Sequence, residues 1–238
     1  MLGIISGTVS LMKSDLFKNN IEQIVKLNEF GKALVLLSDA IAFIPRHGND
    51  PGHYILPHLI NHRANLKALH DIGVSEVIGI NSTGSLSNDL KPGAIVIPED
   101  FIMLSPYPSI HINVPAHITP GLNITIRQRF LEAALKSGFE VVDGGIYWQT
   151  CGPRLETRAE IAMMSQFADV VGMTMASEAI IANELELPYA AICSVDNYAH
   201  GIGEKELTMK DISSHASSSG EIILYILSRY IENRAICG

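Results

Sequence analysis

Short apolar, β-rich runs alternate with amphipathic helical stretches along nearly the whole chain, and this alternation restricts the fold more than any other feature. The runs Leu2–Ser6, Ala33–Leu37, Ala40–Ile44, Val77–Ile80, Ala94–Ile97, Val170–Met173 and Tyr189–Val195 predict strands. The last is almost continuously apolar, as in a strand buried on both faces. Between them, Ile60–Ile72 carries Ile60, Ala64, Ala68 and Leu69 near one helical face and stops at Gly73. A second helix is expected over Ile124–Ser137, ending at Gly138. Thr157-Arg158-Ala159-Glu160 is a capping-box pattern and starts a third. Ser177 is expected to cap a helix over Glu178–Glu186, and Thr208 a terminal one. Strands alternating with helices imply an α/β fold with a mixed, mostly parallel central sheet flanked by helices. No composition break, linker or repeat divides the 238 residues, so a single domain over 1–238 is expected.

Composition narrows the function. Hydrophobic residues make up 47% and charged residues 18%, too apolar for disorder. Seventeen Lys+Arg against 25 Asp+Glu leave a net charge of −8, which argues against nucleic acid and anionic membranes as partners. Mean hydropathy is +0.22, yet no run reaches the roughly 18 apolar residues of a membrane span. The start MLGIISGTVS lacks a basic segment, so no signal peptide is expected. Three scattered cysteines give neither a disulfide framework nor a CxxC pair, and a reducing cytoplasm is the default.

In open α/β sheets, ligands gather at the carboxyl ends of strands, so the loops that follow these strands are the candidate binding segments. Ser6-Gly7-Thr8 offers free backbone N–H groups and a hydroxyl, although an ordinary turn would look the same. Pro45-Arg46-His47-Gly48 places a guanidinium fork and an imidazole at a strand end, a plausible anion clamp or a polar surface loop. His53, His58 and Asp50 lack a recognised metal spacing. Asn81-Ser82-Thr83-Gly84-Ser85, expected as a loop running to Gly93, is a second anion candidate. Cys151 is expected to be a buried thiol rather than a nucleophile. Glu156 precedes a capped helix and could complement its dipole or face a ligand. Met173 and Thr174 offer an apolar surface and a hydroxyl, and Asp196-Asn197 an acid and an amide where a buried strand ends.

Taken together, in this order, the segments PRHG, INHRANLKALHDIGV, NSTGSLSNDLKPG, GPRLETRAE, VGMTMASEA and SVDNYAHG resemble the nucleoside phosphorylases. The resemblance is to their trimeric-type branch, which contains the 6-oxopurine nucleoside and the methylthioadenosine/methylthioinosine phosphorylases. It covers residues 2 to about 212. It implies that inorganic phosphate, as co-substrate and without a metal or organic cofactor, attacks the anomeric carbon of a purine nucleoside. The products are a free purine and a pentose 1-phosphate.

Carried over residue by residue, the resemblance assigns phosphate to Thr8, Arg46, His47, Ser82 and Thr174. Met173 would line the pentose and Leu155 the purine, where many relatives carry Phe. His117 matches a segment that in relatives reaches a neighbouring subunit's site, which implies a homotrimer or homohexamer. Glu156 and Asn197 occupy positions where 6-oxopurine enzymes carry Glu and Asn, and Ala199 one where adenine users carry Asp. A carboxylate accepts from N1–H of hypoxanthine or guanine, and an amide serves O6 and N7–H. Arg46, Glu156 and Asn197 are thus the expected catalytic set. Leu207, Met209 and Ile212 make the 5′ side apolar and suit a 5′-methylthio group, with Met209 expected in contact. Methylthioadenosine phosphorylase is the alternative activity. A hydrolytic nucleosidase and a non-catalytic nucleoside-binding protein are the other readings.

Overall fold

The computed structural model describes residues 1–7, 21–50, 52–104, 106, 108–203 and 209–236, and within the terminal helix the side chains of 218–234. Among the described residues eleven strands form one sheet: β1 Leu2–Ser6, β2 Glu22–Asn28, β3 Gly31–Leu37, β4 Ile41–Pro45, β5 Glu76–Ser85, β6 Ile95–Ile97, β7 Asp100–Ile102, β8 Val142–Asp143, β9 Ile146–Gln149, β10 Val170–Gly172 and β11 Tyr189–Tyr198. The helices are α1 His62–Ile72, α2 Ile124–Ser137, α3 Arg158–Met164, α4 Met175–Glu184 and α5 Met209–Ile236. The central pairings β4–β1, β1–β5 and β5–β11 are parallel. The β2–β3–β4 edge and the β5–β10 and β6–β11 contacts are antiparallel. The mixed, mostly parallel α/β architecture expected from the alternation is present.

Alternate residues of the buried strands feed two apolar layers. On β11, Tyr189, Ala191, Cys193 and Val195 face the layer shared with α1 and α4. Ala190 and Ile192 face the layer formed with Phe130 of α2 and Ile226 and Tyr230 of α5. Because both faces are covered, the strand reads as one apolar run in sequence.

Local signals account for most helix ends. Asn61 and Asn123 cap α1 and α2 by accepting from the third backbone N–H, and Gly73 and Gly138 close them in the left-handed conformation. The capping box at Thr157 is complete. Ser177 is not a cap. The helix begins three residues earlier, after Thr174, because Gln149 at the end of β9 binds both Ser177 groups: its Nε2 donates to Ser177 Oγ (2.6 Å) and its Oε1 accepts from Ser177 N (3.0 Å). The loop expected from Asn81 is β-strand as far as Ser85, since those residues pair with Cys193–Tyr198 of β11. Hairpin strand β2 and the short strands β7, β8 and β9 carry too little apolar alternation to be legible alone. Thr208 lies outside the described residues.

Candidate active site

A cavity of about 340 Å³ opens where β1, β4, β5, β10 and β11 end. Its lining includes Gly7, Arg46, His47, Ser82, Leu155, Glu156, Met173, Thr174, Asn197 and Ala199. Residues from six separate stretches of sequence therefore meet in one place. Thr8 lies outside the described residues, as does the side chain of Met209 at the start of α5. His117 is exposed on an irregular segment and is not part of this chain's own cavity wall.

Arg46 is buried, its four Nη hydrogens have protein acceptors, and its Nε is held against Glu178 as an ion pair without a hydrogen bond. Nη1 donates to Asn81 Oδ1 (2.8 Å) and Thr174 Oγ1 (3.0 Å). Nη2 donates to the Ile5 carbonyl (2.9 Å) and to Glu178 Oε2 (3.3 Å), and Nε lies 2.8 Å from Glu178 Oε1. Glu178, in the first turn of α4, was not singled out from sequence; the only signal was a carboxylate just inside a helix start. The Thr174 hydroxyl passes its own proton to Asn81 Oδ1 (3.1 Å). Thr174 also begins α4, so the positive end of that helix dipole lies at the cavity wall. The fork is thus held in place by the protein itself.

His47 is fixed by its Nδ1 against the Ile55 carbonyl (2.6 Å) and by Tyr54, whose ring stacks on it with centroids 4.4 Å apart. A carbonyl only accepts, so Nδ1 carries the proton in the neutral ring and Nε2 is left as an acceptor. Burial, and secondarily the Arg46 charge, push the His47 pKa down to about 4. A neutral His47 suits a hydroxyl on an anion or sugar better than a bare anionic oxygen. Tyr54 lines the cavity and was missed from sequence, because the link between residues 47 and 54 is irregular.

At the other end, Glu156 is buried and accepts from Thr150 Oγ1 (2.6 Å), which leaves Oε2 for a ligand. The half-buried Asn197 donates one amide hydrogen to the Tyr198 carbonyl (2.8 Å), leaving the other hydrogen and Oδ1. A register shift between Val195 and Asn197 inserts Asp196 as a bulge. Asp196 turns into the interior, where its Oδ2 accepts the Ser82 hydroxyl. Ser82 is therefore in the cavity with its donor already engaged. Gly84 leaves room for the Asn197 amide, since a Cβ there would stand 3.0 Å from Nδ2. Leu155 is half-exposed at the cavity mouth and Ala199 is buried in its wall. His200 also borders the cavity and takes the Arg158 Nε hydrogen at 3.2 Å.

Cys151 is exposed, not buried, because it follows β9 into a loop bordering a second cavity. His53 pairs with Asp50 on the surface. Among the described residues no group of three His, Cys, Asp or Glu side chains could hold a metal ion, and no helix is long and apolar enough to cross a membrane.

Glu156 and Asn197 therefore share one cavity with the Arg46 fork. The chain belongs to the phosphorylase superfamily, whose family model matches residues 20–232. It is 40% identical over 237 residues to a protein of Archaeoglobus fulgidus named probable 6-oxopurine nucleoside phosphorylase, covering 98% of this chain and 96% of the other. It is 34% identical over 253 residues to one of Methanocaldococcus jannaschii named probable S-methyl-5′-thioinosine phosphorylase, covering 100% and 96%. The fold matches methylthioadenosine phosphorylase from Schistosoma mansoni in complex with adenine at a TM-score of 0.85 and 24% identity, over 99% of this chain and 92% of that one.

Proposed function

We propose that the chain is a purine nucleoside phosphorylase that cleaves 6-oxopurine nucleosides, namely inosine, guanosine and 5′-methylthioinosine. The observation that carries this reading is the pairing of Glu156 and Asn197 at one end of the same cavity that holds Arg46 and Thr174 at the other. A phosphate oxygen attacks C1′ as the C1′–N9 bond breaks, and the bonding pair leaves with the purine. Positive charge grows on the pentose and negative charge on the base. Phosphate stabilises the first, and preset hydrogen bonds to the base stabilise the second. Glu156 Oε2 accepts from N1–H. Asn197 donates to O6 and accepts from N7–H as the base departs.

On this reading phosphate takes Nη1 of Arg46 from Asn81, the Thr174 hydroxyl turns to donate to it, and His47 Nε2 accepts its P–OH. Met173 lies under the pentose and Leu155 over the purine. Thr8 adds a phosphate contact and Met209 covers the 5′ group. No metal or organic cofactor takes part. His117 serves a neighbouring subunit of a homotrimer or homohexamer in the cytoplasm. The Archaeoglobus and Methanocaldococcus relatives support the 6-oxo base and, by their two names, both a hydroxyl and a methylthio group at 5′.

Asn197→Asp tests the base reading. An acid cannot both donate to O6 and accept from N7–H at neutral pH, so kcat/KM for inosine should fall about 100-fold or more, as when a transition-state donor is removed. Phosphorolysis of adenosine should rise from background. Unchanged inosine turnover removes Asn197 from base recognition and favours the methylthioadenosine alternative.

A further inference from the structure

The carboxylate of Glu178 is an unusual companion for an anion site. It is fully buried, it pairs with Arg46 at Nε (2.8 Å) and Nη2 (3.3 Å), and it faces the one guanidinium that lines the cavity among the described residues. A doubly charged anion arriving at Arg46 would leave two acids sharing one base, with Glu178 fully buried. Such an arrangement relaxes by protonating the weaker acid.

We propose that Glu178 takes up one proton from solvent when a dianion binds at Arg46, so that the anion and the proton enter the site together. The inference rests on the reading of the cavity as an anion site. The structure supplies a place for the proton. Oε2 lies 2.8 Å from the Tyr189 hydroxyl, which donates to it now and can accept from it once Oε2 is protonated. Oε1 stays beside Arg46 Nε (2.8 Å) as an ion-pair contact, and Nη1 and Nη2 keep their bonds to Thr174 and the Ile5 carbonyl, so the fork does not swing away. The room for this phenol comes from Gly79 of β5, where a Cβ would stand 1.9 Å from the Tyr189 oxygen.

The groups facing Glu178 favour the carboxyl over any other proton site. Arg46 comes from the end of β4, and Tyr189 and Cys193 from β11. Burial raises both the phenol and the thiol, so neither releases a proton near neutrality. Tyr147 of β9 faces the start of α4 and is raised by burial too. His62 at the start of α1 is held neutral by burial. Burial lifts Glu178 itself to about 7, against the pull of Arg46, so part of the population is already poised to exchange protons.

Sulfate is the probe, because it stays a dianion where phosphate itself titrates. Its binding heat is measured at pH 7 in two buffers of different ionisation enthalpy. The wild type should take up about half a proton per sulfate, and sulfate affinity should weaken by up to tenfold per pH unit above neutrality. Glu178→Gln should lose the uptake and the pH slope while still binding sulfate. An infrared difference spectrum of the wild type, which needs no variant, should gain a protonated-carboxyl stretch on sulfate addition. Binding without buffer dependence and without that stretch overturns the proposal and leaves the anion site standing. Uptake that survives unchanged in Glu178→Gln does the same. Sulfate that binds wild type and Arg46→Met equally, or binds neither, removes the anion site and the proposal with it.

Discussion

The side chains around Arg46 show how a polar centre survives in an apolar core. The four Nη hydrogens of the guanidinium meet acceptors and Nε lies against the Glu178 carboxylate, which offsets a desolvation cost of about 1–3 kcal/mol or more per group. His62 has no such charge partner. Its ring is buried, and Nδ1 has no hydrogen-bond partner among the described residues. Burial first, then the charge of Arg46, push its pKa down to about 3, against 6.5 in an unfolded chain. A depressed histidine contributes stability that is fully present above pH 6.5 and lost as the pH falls toward 3. The loss runs at up to about 1.4 kcal/mol per pH unit. Glu178, raised by burial, works in the opposite direction between about 4.5 and 7, so the test is a difference. His62→Leu should lose less stability than wild type between pH 6.5 and 4 in urea titrations. Parallel curves for the two proteins would mean that His62 is protonated in the fold.

Residue types and order made much of the site legible. Arg46 and His47 beside Gly48, the Glu156 position and Asn197 all reach the cavity. What was not legible came from pairings distant in sequence. Glu178 looks like a surface carboxylate in a helix start until β4 and β11 bring Arg46 and Tyr189 against it. Asp196 looks like the end of a strand until the bulge turns it inward toward Ser82.

Among the elements, two tyrosine hydroxyls anchor α4, and two strand glycines admit them. Tyr189 of β11 reaches Glu178 past Gly79. Tyr147 of β9 accepts from the backbone N–H of Thr174 (3.3 Å) and Met175 (3.4 Å). A Cβ at Gly172 would stand 2.2 Å from the Tyr147 oxygen. Gly172→Ala should therefore cost about 1–3 kcal/mol, the usual range for overpacking a tight core. It should also lower activity more than stability suggests, because the displaced phenol releases the amide of Thr174. Denaturant melts alongside kinetics decide this, and wild-type values for both would show that the phenol shifts freely. Strand and helix positions on β1, β4, α1 and α2 followed from apolar period and caps alone. The start of α4 did not, since its first amides are satisfied by Tyr147 and Gln149 rather than by a local cap.

At the scale of the whole molecule, a net charge of −8 coexists with a proposed phosphate site because the binding groups are local: one guanidinium, hydroxyls, a neutral imidazole and a helix start. The balance still weighs against polyanions and leaves a nucleoside and a single phosphate as the better-fitting ligands. The low charged fraction accords with surface buried between subunits. Leu104, Ile112, Val114 and Ile118 are exposed on one irregular stretch that also carries His117. If a second copy covers that stretch, Val114→Glu should shift the assembly toward monomer in sedimentation and reduce turnover with it. An unaltered assembly would place the subunit contact elsewhere.

The most direct test of the account is product release from inosine, guanosine, adenosine and their 5′-methylthio forms, each with and without inorganic phosphate. Hypoxanthine or guanine release should require phosphate, extend to 5′-methylthioinosine and be accompanied by pentose 1-phosphate, with adenine release slower by orders of magnitude. Adenine release without hypoxanthine release, or turnover indifferent to phosphate, would contradict it.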